Sequence, residues 1–82
     1  MTDEPREPYR HRTPRAVYMT IADELAAEIA TASPDTPIAS ENDIRQRWGV
    51  ARATARHAIE ELRRRGLIYT VPGRGSFVAA KA

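Results

Sequence analysis

Apolar residues in the first half of the chain recur at helical spacing. Tyr18, Ile21, Leu25 and Ile29 stand at i, i+3, i+7 and i+11, and Asp23, Glu24 and Glu28 fall off that stripe, which predicts a helix over about residues 16–31. Pro34 and Pro37 close it and force an extended connection, S-P-D-T-P-I-A. A second helix starts at Ser40, where S-E-N-D matches a capping box: the serine hydroxyl accepts the amide of Asp43, and the aspartate reaches back. Ile44 and Trp48 share its inner face, and Gly49 ends it after about two turns. A third helix follows Val50 and runs to about Arg65, with Ala55, Ala58, Ile59 and Leu62 as its buried stripe and Gly66 as its stop. Beyond it, L-I-Y-T-V and S-F-V-A are two β-prone runs separated by P-G-R-G, the pattern of a hairpin with a glycine-rich tip.

The order is helix, helix, tight turn, helix, hairpin. This predicts an α+β fold, mainly α: a winged helix-turn-helix, three helices followed by a β-hairpin wing. Residues 1–14, MTDEPREPYRHRTP, hold three prolines, mixed charge and one aromatic, too little apolar surface to offset chain entropy, and read as a disordered Pro/Arg-containing arm. Residues 15–80 are then the ordered domain, close to the lower size limit for an unaided core.

Composition narrows the function classes. Eighty-two residues without cysteine leave no disulfide scaffold, no Cys-ligated zinc and no thiol catalysis. Two histidines, His11 and His57, are too few for a His-built metal site. No apolar run approaches the ~18 residues of a membrane span, no signal-peptide pattern opens the chain, and a reducing cytoplasm is the default compartment. Ser33, Ser40 and Ser76 have no evident His or Lys base, and the acidic residues are spaced like a solvated helix face. No catalytic residue, metal or cofactor is expected. Tyr18, Trp48 and Phe77 read as core fillers, although the Trp can also mark a partner surface.

The formal net charge of +2 conceals an asymmetry. Residues 1–15 carry four Arg against three carboxylates; residues 16–43 carry six carboxylates and no cation; residues 44–82 carry nine cations against two carboxylates. The segments therefore stand at +1, −6 and +7. A basic second half beside an acidic first half suits a polyanion-binding face, or a solvated Arg-rich surface.

The third helix is the most informative element. With 55, 58, 59 and 62 buried, Arg52, Ala53, Arg56 and Glu60 project from the opposite side, and Arg52 and Arg56 lie one turn apart near the amino-terminal end. A guanidinium fork there can contact guanine O6 and N7, worth about 1–3 kcal/mol of discrimination. Thr54 can reach a phosphate or a thymine methyl. The alternative is a solvated face with i,i+4 pairs: Arg56–Glu60, Glu60–Arg64 and Glu61–Arg65. Arg63, Arg64 and Arg65 read as such a face, or as loose phosphate contacts. At the hairpin tip, Pro72-Gly73-Arg74-Gly75 lets backbone approach a phosphate chain and offers an Arg to a narrow minor groove.

From Tyr18 to Val78 these residues resemble the DNA-binding domain of GntR-type bacterial transcription regulators. The pieces that carry the resemblance are I-A-D-E-L-A-A-E-I, the ungapped run S-E-N-D-I-R-Q-R-W-G-V-A-R-A-T-A-R-H-A-I-E-E-L-R-R-R-G-L-I, and G-R-G-S-F-V. The resemblance implies a regulator, a repressor by preference, that binds double-stranded DNA at an inverted-repeat operator as a homodimer. Recognition helices would enter adjacent major grooves and wings the minor groove. The candidate DNA contacts are Ser40 and Asn42 at the second helix, then Arg52, Ala53, Thr54 and Arg56, then Gly73, Arg74 and Gly75.

Four departures from the pattern stand out. Ala39 replaces a usual Pro, and the loop before it is about two residues shorter and lacks glycines, which puts the small leading strand in question. Ala51 stands where a Ser commonly caps the recognition helix. Asn42 replaces a frequent Arg, and Ala55 a larger apolar residue. Most relatives also carry a carboxy-terminal effector domain; this chain stops soon after the wing, so no effector domain and no small-molecule site are expected in it. A different reading of the same fold is a protein–protein contact module, with the acidic first helix and Trp48 as interface and only weak, non-specific DNA binding.

Overall fold

The computed structural model describes residues 14–80. Its elements are α1 (Pro14–Ala30), α2 (Glu41–Trp48), α3 (Arg52–Arg64), β1 (Ile68–Val71) and β2 (Gly75–Val78). The expected three helices and hairpin are present in that order. The arm expected over residues 1–14 lies outside the described residues except for Pro14, which opens α1. Its missing N–H costs nothing in the first turn, so the helix starts two residues before the predicted start at about residue 16.

Burial follows the helical stripes. Ile21, Leu25 and Ile29 of α1, Ile44 of α2, and Ala55, Ala58, Ile59 and Leu62 of α3 form one core with Ile68 and Val78 of the hairpin. Ala22, Ala55 and Ala58 have no exposed surface. Small side chains there let α3 approach its neighbours closely, which answers the loss of bulk at Ala55. Tyr18 and Trp48 are half-buried against this core. Phe77 departs from its expected role: it is half-buried and stacks on Tyr69 with centroids 5.7 Å apart, on the hairpin face away from the buried Ile68–Val78 pair.

The turn between α2 and α3 depends on Gly49, whose φ of 66° is left-handed and whose N–H closes on the Arg45 carbonyl at 2.8 Å. At the start of α2 the capping box is complete, with Asp43 N donating to Ser40 Oγ and Ser40 N donating to Asp43 Oδ2, both at 3.0 Å. The hydrogen bond from the Ser40 backbone N–H, and after it that of the Ser40 side chain, holds the Asp43 carboxyl below its ordinary pKa.

The hairpin is antiparallel, pairing Ile68 with Val78 and Val71 with Gly75. The leading strand is reduced to one bridge between Pro37 and Phe77. Backbone bonds from Asp35 N to Val78 O, Val78 N to Thr36 O and Ile38 N to Ser76 O nevertheless keep the segment along β2. Asp35 adopts a left-handed φ of 69°, tolerated because a short polar side chain suits it, and its carboxylate accepts the Tyr69 hydroxyl at 2.6 Å. The tyrosine pKa rises as a result.

Glu61 is the one charged side chain buried among the described residues. It accepts Arg64 through both oxygens, at 2.9 and 2.6 Å, and Arg65 Nε at 2.8 Å; Arg65 reaches on to Asp23 of α1 at 2.9 Å. The expected Glu61–Arg65 pair is thus made, while Arg64 turns to Glu61 rather than Glu60 because its fork meets both oxygens there. The hydrogen bonds from Arg64 and Arg65 lower the Glu61 pKa from 4.5 to about 2. A carboxyl held low in the folded state stabilises it fully above the unfolded value and loses that contribution as pH falls from about 4.5 towards about 2. Urea titrations of Glu61→Gln are therefore expected to show lower stability than wild type at pH 6, and a smaller further loss on acidification through that window. Equal acid sensitivity in the two proteins would contradict the coupling.

Candidate nucleic-acid interface

Of the expected contact residues, Asn42, Arg52 and Arg56 line one depression, and Ser40, Arg56, Gly73 and Gly75 line a neighbouring groove. Ser40 caps α2, its Oγ accepting the backbone N–H of Asp43. Asn42 is exposed in the first turn of α2. Arg52 is the first residue of α3, Ala53 and Arg56 are exposed beside it, and Thr54 is half-buried. Asn42, Arg52 and Arg56 line a shared depression of ≈ 220 Å³ with Glu41 and Arg45. Arg56 meets Glu41 rather than Glu60: its Nε lies 3.7 Å from Glu41 Oε2, across the packing of α2 on α3.

A wider groove of ≈ 440 Å³ continues from there between α3 and the wing, lined by Ser40, Arg56, Glu60, Arg63, Thr70, Gly73 and Gly75 among others. Arg63 is not merely solvated. Its Nη1 donates to Thr70 Oγ1 at 2.8 Å, and Thr70 Oγ1 meets Ser76 Oγ at 2.8 Å, so the arginine braces β1 and β2 against α3. At the tip, Arg74 N donates to Val71 O at 2.9 Å, with Pro72 and a positive-φ Gly73 between them, the pattern of a type II turn. Gly75, at φ 108°, follows. A Cβ at Gly73 or Gly75 would meet nothing within 4 Å, so backbone conformation alone demands glycine there. Arg74 is exposed at the apex.

The carboxylates sort the arginines. On the α1 side, Arg47 binds Glu28 and lies 4.3 Å over the Trp48 ring, and Arg64 and Arg65 are held by Glu61 and Asp23. The Glu28 pKa falls and the Arg47 pKa rises through that hydrogen bond. On the groove side, Arg45, Arg52, Arg63 and Arg74 form no ion pair among the described residues, and Arg56 has only the long contact to Glu41. The basic charge is thus left unneutralised around α3 and the wing. Among the described residues no helix is long and apolar enough to cross a membrane, and no group of three His, Cys, Asp or Glu is arranged to hold a metal.

Two residues of this surface escape a reading by composition. Arg45 follows Asn42 by three positions and therefore shares its face of α2, a signal present in the helical spacing. Glu41 enters the depression only through the crossing of α2 over α3, which no local pattern encodes.

Residues 17–78 match the family model described as "Bacterial regulatory proteins, gntR family". The chain belongs to that family. Among curated proteins it is 34% identical over 70 residues to the HTH-type transcriptional repressor NagR of Bacillus subtilis (strain 168), covering 83% of this chain and 29% of NagR. The chain thus spans less than a third of the length of that relative. Among solved structures, AraR(DBD) in complex with operator ORR3 is 41% identical with a TM-score of 0.71, covering 76% of this chain and 77% of that one. A GntR family transcriptional regulator from Listeria monocytogenes is 25% identical with a TM-score of 0.72, covering 79% and 59%. The winged helix-turn-helix expected from the helical spacing is the fold these gntR-family structures share.

The amino-terminal end of α3 has no side-chain cap. Ala51 has the extended backbone of an N-cap, φ −72° and ψ 161°, and its carbonyl accepts Ala55 N at 3.1 Å, yet it offers no side-chain acceptor to the first-turn amides. Ala51→Ser adds that acceptor without changing the backbone. It is expected to raise stability by about 0.5–2 kcal/mol, read as a higher urea midpoint at unchanged m-value.

Proposed function

We propose that this domain binds duplex DNA sequence-specifically as a transcription regulator, and that it acts as a repressor at an inverted-repeat operator as a homodimer. The observation that carries the reading is the set of arginines on α2, α3 and the wing that have no close carboxylate partner among the described residues. A helix bearing such arginines fits the major groove, and the brace from Arg63 to Thr70 suits a wing held at a fixed angle beside it. The AraR(DBD) operator complex and the repressor name of NagR support the same reading by relation.

In this proposal Arg52 and Arg56 read bases, Thr54 and Ala53 pack on the groove edge, and Ser40 and Asn42 contact the backbone. Gly73, Arg74 and Gly75 follow the minor groove. Residues 15–80 form the DNA-binding unit. The protein is not an enzyme, uses no cofactor and works in the cytoplasm on the nucleoid.

Selection of bound sites from random duplex DNA tests the reading directly, and an enriched inverted repeat is the expected outcome. Recovery of no preferred sequence would favour the protein–protein alternative. On the enriched site, Arg52→Ala or Arg56→Ala is expected to lose about 1–3 kcal/mol of discrimination at the base pair each reads. Arg64→Ala, on the Glu61 side, is expected to keep the preference. Equal loss in all three variants would overturn the assignment.

A further inference from the structure

Arg45 stands in the middle of α2, half-buried, on the wall of the depression it shares with Asn42, Arg52 and Arg56. Its Nε is buried and has no hydrogen-bond partner among the described residues. A buried N–H without an acceptor is costly, and on a guanidinium more so, because this donor is always charged. The nearby carboxylate does not relieve it: Glu41 lies toward Arg56 instead. The depression therefore sets three guanidiniums against one carboxylate, and a group bearing anionic oxygens would balance that excess of positive charge.

We propose that Arg45 holds one phosphate of the DNA backbone, making α2 a phosphate clamp beside the recognition helix. The inference rests on the DNA-binding reading and extends it to a residue outside the candidate contact set. Geometry selects phosphate over base. Arg45 belongs to the helix that precedes α3, and with α3 in the major groove that helix crosses the strand bordering it. Asn42, one turn away on the same face, carries no charge, so Arg45 supplies the cation at this edge of α2. A contact of this kind fixes register and orientation and carries no sequence information of its own.

The test measures affinity for the selected site against salt in wild type, Arg45→Gln, Arg45→Ala and Arg45→Lys, with helicity and melting temperature recorded for each. Losing one neutralised phosphate lowers the magnitude of the slope of log K against log[salt] by about 0.9. Between 50 and 200 mM salt the Gln and Ala variants should accordingly lose about 3–4-fold less affinity than wild type does. Arg45→Lys keeps the charge and should keep the slope, which separates phosphate contact from a merely structural role and remains informative if Arg45→Ala fails to fold. The base preferences of all variants should match wild type. An unchanged slope in Arg45→Gln overturns the proposal, and so does an altered preferred sequence, which would make Arg45 a base reader. A wild-type protein without any preferred site would instead overturn the DNA-binding reading, a failure visible before any variant is made.

Discussion

Ala55, Ala58, Ile59 and Leu62 turn one stripe of α3 inward against α1 and the buried pair of the wing, Ile68 and Val78. In a domain this small that stripe is the centre of the core, and truncating a residue such as Leu62 removes about 2–5 kcal/mol, a large share of the stability available. Burial of the stripe also decides the rest of the molecule's chemistry. With one face of α3 fixed inward, Arg52 and Arg56 have only the opposite face to occupy. The side chain at 61 lies between the two regimes, and its buried carboxylate must find cations.

The charge arrangement follows from that geometry. Carboxylates of α1 and α3 gather Arg47, Arg64 and Arg65, and the +7 of the second half is reduced on one side only. What remains faces α2, the start of α3 and the wing. The ion pairs are mostly exposed and screened by salt, so they add little to stability. Two carboxylates of the acidic first helix, Asp23 and Glu28, pair with Arg65 and Arg47 of the basic half.

The wing is held from two sides. Arg63 reaches Thr70 from α3, and the segment after α1 runs along β2 with Asp35 locked by Tyr69. An isolated two-stranded hairpin is marginal in water, so these attachments give Arg74 a defined position relative to α3. The shortened loop keeps the backbone bonds of a leading strand while almost losing the strand. Its prolines remove donors, and Asp35 accepts an unusual φ to make the turn.

The elements themselves were legible because each has a strong local cause. Apolar spacing sets the helices, S-E-N-D the cap, Gly49 the turn, and P-G-R-G the hairpin. The arginines of α3 were legible for the same reason, since burial of one stripe dictates the face opposite. Pairing across elements was not. That Arg56 meets Glu41 rather than Glu60, that Arg65 reaches Asp23, that Phe77 leaves the core for Tyr69 and that Arg45 Nε ends without a partner among the described residues all depend on the angle at which α2 and α1 cross α3. Periodicity reports which way a side chain points from its own axis and carries no information about the neighbour it then meets. The sequence by itself determined the order of elements, the buried stripes and the basic half. The tertiary structure decided which cations are neutralised and which stay exposed, because helix packing, not spacing along the chain, sets the distance between charges.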